Sequence, residues 1–286
     1  MPEREPDILE LPGTGALREA GAQGASGARP KLSPSSWQWS ALAIAASCGV
    51  WWLVTRAGLI APLYLPGPGA VFAKLVGVAR DGYMDATLWQ HLGASLSRVL
   101  VALVLALATA VPLGLMLGLN RVLKALLDPL IEFCRPVPPL AYLPLIVIWF
   151  GIGETSKILL IYLAIFLPVV VATAAGVLAV DPIRIRVAQS LGATRLQIVR
   201  FVVLPSALPT IVTGVRIALA AGWSTLVAAE LIAATRGLGF MIQSASQFLA
   251  TDLVVGGIIV IAVVASLIEI ALRRLQQHFS PWLGRV

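Results

Sequence analysis

Residues 181–209 read DPIRIRVAQSLGATRLQIVRFVVLPSALP, a basic stretch set between two long apolar runs. Ile183, Val187 and Leu191 recur at helical spacing, with Arg184, Arg186 and Gln189 on other faces, which predicts a short amphipathic helix. Gly192 ends it, because a glycine just past the last periodic residue takes the left-handed conformation that closes a helix. Thr194 and Gln197 then stand at capping-box spacing, each side chain placed to satisfy a free N–H at the start of a second helix. That helix carries Leu196, Val199, Val202 and Val203 and re-enters apolar surroundings at Pro205, a residue tolerated in a first helical turn. The expected form is helix, tight glycine turn, helix, standing out of a bilayer on its basic side.

Composition supplies the bilayer. Of 286 residues, 58% are hydrophobic and 12% charged, with a mean hydropathy of +0.90; a soluble domain carries about 25% charged residues. The net charge of +7 does not point to nucleic acid, because the basic residues are scattered through short interhelical segments, as a positive-inside bias requires. Cys48 and Cys134 lie in apolar runs and are expected to be small buried hydrophobes rather than a disulfide. His91 and His278 are far apart, without an acid or cysteine pattern, so no metal site is indicated.

Outward from the basic stretch, the pattern predicts an all-α membrane protein with six transmembrane helices. Residues 1–36 are expected to form a disordered cytoplasmic tail. No signal-peptide pattern precedes the first span, at 37–56, which tryptophans flank at both ends. Residues 57–90 form an external loop in which VFAKLVGVA is a short amphipathic helix. Residues 91–273 form a core of five helices containing the basic loop 181–205, and 274–286 a cytoplasmic tail. Ala110, Gly114 and Gly118, each four apart in the second span, allow close approach of another helix, either as general packing or as a dimer seam. The third span is broken by Pro136, Pro138, Pro139 and Pro144, which cannot share one straight helix. With both termini inside, 13 Lys and Arg fall in internal segments and 5 in external ones, which favours a cytoplasmic basic loop.

The chain has no G-x-x-x-x-G-K-[ST] run, so it cannot cradle ATP phosphates itself, and no G-x-S-x-G elbow. It reads as a non-enzyme subunit. The polar candidates for a solute pathway are Arg98, a basic residue inside the second span that either attracts an anion or snorkels; Glu132 and Arg135, three apart and able to pair; and Trp223, Ser224 and Thr225, which either line a wet route or link neighbouring helices. Arg216, inside the fifth span, should face protein or water.

The run AQSLGATRLQIVRFVVLP resembles the cytoplasmic signature loop of ABC-importer permeases, whose pattern is Glu-Ala-Ala, three residues, Gly, and a later Leu-Pro. Aligned on Gly192, the Glu-Ala-Ala falls on Arg186, Val187 and Ala188, so only the last alanine matches. From about residue 62 to 284 the chain is similar to permeases for taurine, alkanesulfonates and nitrate. GYMDATLWQHL, RPVPPLAYLPLIVIWFGIGETSKILLIYLAIF and GWSTLVAAELIAATRGLGF resemble the taurine branch.

The resemblance implies a type I ABC-importer permease fold in the bacterial inner membrane, importing taurine or a related sulfonate. Ala188, Leu191, Gly192, Ala193, Thr194, Arg195, Leu204 and Pro205 would then couple it to a separate ATPase. The implied partners are two copies of that ATPase, which carries the ATP and Mg, a second copy of this permease, a periplasmic or lipid-anchored solute-binding protein, and membrane lipid. No cofactor is expected on this chain. The alternatives are the same machine carrying nitrate, bicarbonate or another alkanesulfonate, an ion-driven secondary transporter, or a membrane scaffold.

Overall fold

The computed structural model of the chain describes residues 34–279. Of the expected tails at 1–36 and 274–286, residues 1–33 and 280–286 lie outside the described residues, whereas 34–36 belong to the first helix and 274–279 continue the last. The chain divides into two units, Met1–Leu53 and Val54–Val286. The first holds most of α1 (Pro34–Arg56), along which Trp39, Leu42, Ile44, Val50 and Trp52 are exposed, as suits a lipid-facing surface.

In the second unit, proline and glycine punctuate the order. α2 (Pro68–Arg80) starts on Pro68, and α3 (Leu88–Leu119) starts on a capping box of Thr87 and Gln90. α4 (Arg121–Cys134) begins at Asn120, whose side chain accepts the N–H groups of Val122 and Leu123. A single 3-10 turn, Pro139–Tyr142, leads to α5 (Leu143–Phe150). Pro139 and Pro144 occupy first turns and Pro138 is extended, positions where the missing N–H is least costly. The prolines therefore break the expected third span into two helices bent by 85°. α6 (Glu154–Leu178), α7 (Pro182–Ser190), α8 (Arg195–Ile198), α9 (Leu204–Ala233), α10 (Leu238–Gln247) and α11 (Thr251–Phe279) follow.

Among the described residues, four helices are long and apolar enough to cross a membrane, or five if the bent pair α4 and α5 counts as one span. α1 is not one of them, diluted as it is by Gln38, Ser40 and its tryptophans. A second departure concerns Pro205. No break stands there, because a π-helical turn, Val199–Val203, joins α8 to α9, so that Arg195–Ile232 runs as one helix. Cys48 and Cys134 are free but exposed, not buried: the apolar runs that contain them present those faces outward.

The core is α6 held between α3 and α9. Ala102, Ala106 and Ala110 have no exposure, and Gly114 and Gly118 extend the same four-residue stripe. A Cβ on Gly114 would stand 2.5 Å from the Thr173 Cβ and 2.7 Å from the Val170 oxygen, and one on Gly118 would stand 2.5 Å from the Val177 Cβ. The stripe thus serves contact within the chain, with α6. Gly214 of α9 meets Ala172 on the other side of α6. Small residues let such backbones approach where lipid supplies no hydrophobic drive between helices. An outer cluster of Val78, Leu88, Leu238, Met241, Ala245 and Leu253 ties α2, α10 and the starts of α3 and α11 together. Replacement Gly114→Leu should overpack this contact by about 1–3 kcal/mol, read as a lower melting temperature of the detergent-purified chain, while Gly93→Ala, with open space around it, should melt as the wild type does.

Candidate functional site

Two polar constellations stand out, one on an exposed surface and one inside. The first is the 181–209 stretch. Asp181 caps α7 by accepting the Ile183 N–H at 2.8 Å. Past the helix, Gly192 has φ +79°, its N–H donates to the Gln189 oxygen at 3.0 Å, and the Ala193 N–H donates to the Ala188 oxygen at 3.0 Å. This pair of bonds is the Schellman closure, which satisfies the last carbonyls of the helix and requires the left-handed residue. The Thr194 N–H donates to Gln197 Oε1 at 2.7 Å, and the Gln197 N–H to Thr194 Oγ1 at 3.4 Å, so the capping box is present.

The segment has two faces. Ile185, Ala188, Ala193, Ile198, Val202, Val203 and Leu204 pack toward the core. Ile183, Val187, Leu191, Leu196 and Phe201 are exposed, Leu191 by 82%, and Arg184, Arg186, Arg195 and Arg200 stand exposed among them. The helical spacing of Ile183, Val187 and Leu191 marks the outward face. The exposed apolar side chains are thus interleaved with four arginines on one face.

The second constellation is buried at the end of α3 opposite Leu119. The Arg98 guanidinium, 4% exposed, donates from Nε to Glu154 Oε2 at 2.6 Å and from Nη2 to Glu154 Oε1 at 2.8 Å. Its Nη1 donates to Glu230 Oε1 at 2.5 Å and to the Arg236 carbonyl at 2.8 Å. Lys157, one turn after Glu154, adds a bond to Glu154 at 2.9 Å, so two acids balance two bases. Glu230 has no exposure and accepts the Ser95 hydroxyl at 2.8 Å and the Gly239 N–H at 2.8 Å. His91, also without exposure, accepts the Gly237 N–H on Nδ1 at 3.2 Å, which leaves Nε2–H to donate to the Tyr83 carbonyl at 3.0 Å.

Arg98 therefore neither snorkels nor presents a free cation to an anion; two carboxylates occupy it. Glu132 and Arg135 are exposed and do not pair; the ion pair of α4 joins Lys124 to Asp128 instead, at the spacing that faces a helix's own next turn. Trp223 and Thr225 are buried and Ser224 exposed, so the three do not share a face. Both hydroxyls bond their own helix, Ser224 to the Ala220 carbonyl and Thr225 to that of Ala221, and the Trp223 Nε1 has no partner among the described residues. Arg216 faces protein as expected, paired with Glu269 and bonded to Gln276 at 3.0 Å. No local motif marks Glu154, Lys157, Ser95, His91 or Glu230 as parts of one site. The signal was there in Arg98 alone: a cation in an apolar span needs a counter-charge, and Glu154 and Glu230 end neighbouring spans.

The profile of binding-protein-dependent transport system inner membrane components matches residues 110–285. The chain belongs to this family. Among curated members of this transport family, the taurine transport system permease protein TauC of Escherichia coli (strain K12) is 62% identical over 83% of this chain and 86% of its own length. The putative aliphatic sulfonates transport permease protein SsuC of the same organism is 36% identical over 82% and 87%. The inward-facing MetNI methionine ABC transporter has the same permease fold, at a TM-score of 0.60 and 20% identity, covering 67% of this chain and 95% of that one. The chain is thus a multi-pass membrane permease of the ABC-transporter class.

Removing the partner of a buried ion strands the other charge, at a cost of about 3–5 kcal/mol. Arg98→Met should accordingly lower the melting temperature of the purified permease far more than Glu154→Gln, because Glu154 is 58% exposed and Glu230 is sealed.

Proposed function

We propose that this chain is the permease subunit of an ATP-driven importer that carries taurine, or a closely related sulfonate, across the bacterial inner membrane. The observation that carries the reading is 62% identity to a taurine permease across most of both chains, against 36% to an aliphatic sulfonate permease and 32% to a bicarbonate permease. The same machine carrying nitrate, bicarbonate or another sulfonate is the runner-up. In this reading α1 is the first of six spans, α4 and α5 together make the third, and both termini are cytoplasmic, as the distribution of Lys and Arg favours.

The exposed face of Ile183, Val187, Leu191 and Leu196 with its arginines is then the coupling surface. It would dock on a separate ATPase, present in two copies and carrying the ATP and Mg. Ala188, Gly192, Ala193, Thr194, Arg195, Leu204 and Pro205 shape that surface or anchor it. A second copy of the permease would complete the pathway, and a periplasmic or lipid-anchored binding protein would deliver the solute. Glu132, Arg135 and Ser224, exposed on this chain, are the pathway candidates that can still face a solute or the second copy. Arg98, Trp223 and Thr225 act from within the packing.

The mechanism follows from how the loop is joined to the span. Because Arg195–Ile232 is one helix, a push on the 181–200 surface reaches the fifth span without a hinge at Pro205. ATP binding would close the ATPase pair, draw the two loops together and turn the spans from inward-open to outward-open.

Uptake of labelled taurine should be restored to a strain lacking this chain by the chain itself, should vanish on ATP depletion, and should be competed by taurine more than by other sulfonates or nitrate. Restoration with another cargo would change the substrate and keep the machine. Gly192→Val, which forces a β-branched residue into the left-handed region at about 1–3 kcal/mol, should abolish uptake while the protein remains inserted in the membrane at wild-type level.

A further inference from the structure

Three successive backbone N–H groups at the start of α10 end on side chains of two different spans. Gly237 donates to His91, Leu238 to Ser95 Oγ at 2.9 Å, and Gly239 to Glu230. These belong to the N–H groups that no helix satisfies for itself, and they carry the positive end of its dipole. His91, Ser95 and Arg98 follow one another along α3, and Glu230 stands near the end of α9. Ser95 is the relay, giving its hydroxyl hydrogen to Glu230 and accepting from Leu238. Arg98 closes the ring on Glu230 and the Arg236 carbonyl, and its other edge holds Glu154 of α6.

The backbone is shaped to the carboxylate. A Cβ on Gly237 would stand 2.5 Å from both Glu230 oxygens, and one on Gly239 would stand 2.8 Å from the Glu230 Cβ and 2.9 Å from the Val227 oxygen. With no exposure, Glu230 cannot meet a solute where it stands. Its charge has another use.

We infer that Glu230 is a positioning residue for transport: its carboxylate, charge-paired to Arg98, pins the 236–239 turn and α10 to α3, α6 and α9, so that the outer helix follows these spans as one body through the cycle. This rests on the transport reading above. Opening the ring would strand a carboxylate, a guanidinium and several N–H groups where hydrocarbon offers no partner. The ring therefore stays shut, and bending falls on joints that lack such a lock, the proline-rich break between α4 and α5 foremost.

The test uses the whole importer, with its ATPase and binding protein, in lipid. Glu230→Gln keeps the shape and removes the charge; Glu230→Asp keeps the charge. In Glu230→Gln, amide hydrogen exchange at residues 237–239 should speed up by about tenfold or more, since protection reports the local opening equilibrium, while amides in the middle of α3 stay protected. Taurine uptake per inserted transporter should fall by about tenfold with KM little changed, and Glu230→Asp should recover most of both signals. Unchanged exchange at 237–239 in Glu230→Gln would overturn the lock. Faster exchange with undiminished uptake would show that the lock is not used in transport, and equal damage from Asp and Gln would reduce Glu230 to a space-filling residue. Should Glu230→Gln fail to insert, Ser95→Ala removes the relay without touching a charge, and there faster exchange at Leu238 with reduced uptake is expected, unchanged exchange again overturning the lock. Exchange needs no cargo, so absence of taurine uptake by the wild type would count against the substrate and leave the lock to be judged by exchange alone.

Discussion

A carboxylate with no exposure survives inside a lipid-facing helix bundle only where donors fill its lone pairs and a cation balances its charge. Glu230 meets both conditions by drawing on an arginine and a serine of α3 and on a backbone N–H of α10. Each donor thereby fixes the distance between the elements that carry it. α3, α9 and α10 meet at this one group, and α6 joins them through the Arg98–Glu154 pair.

Away from that end, different physics holds the same helices. Along α3 and α6, and along α6 and α9, glycine and alanine let backbones approach until side-chain volume sets the spacing, so the contact is steric and tolerates no added methyl group. Between α9 and α11, Arg216 reaches Glu269 and Gln276, and Gln276 bonds Thr213 at 3.0 Å. The bundle is thus tied by charge at one end, packed by shape in the middle, and cross-linked by polar groups at its margin. α4 is held more lightly: Leu123, Leu127 and Ile131 pack against the core but no residue in it is fully buried, and it meets α5 at a sharp bend.

The 181–209 stretch was legible because its chemistry is local. A left-handed glycine, a capping box and a helical period each span a few residues, so the chain sequence specifies them without outside help, and Gly192, Thr194 and Gln197 stand as their spacing required. The continuity through Pro205 was not legible. Proline fits equally well in the first turn of a new helix and after a π-helical turn that keeps the old one going, and only the packing of Ile198 and Val203 on the core selects the second. Cys48 and Cys134 failed for a related reason: in a membrane an apolar run does not tell an inward face from an outward one, since lipid accepts both.

The sequence by itself determined the class of this protein, most of its apolar helices, the proline break after α4 and the local form of its basic segment, because hydropathy, proline and caps act over one turn or one span. The tertiary structure alone decided which charges meet. Arg98 and Glu230 are separated by 132 residues and Arg98 and Glu154 by 56, and neither pairing leaves a periodic trace in the chain. Coulomb attraction in a medium without water selects partners by depth and proximity, and those quantities exist only once the helices have packed.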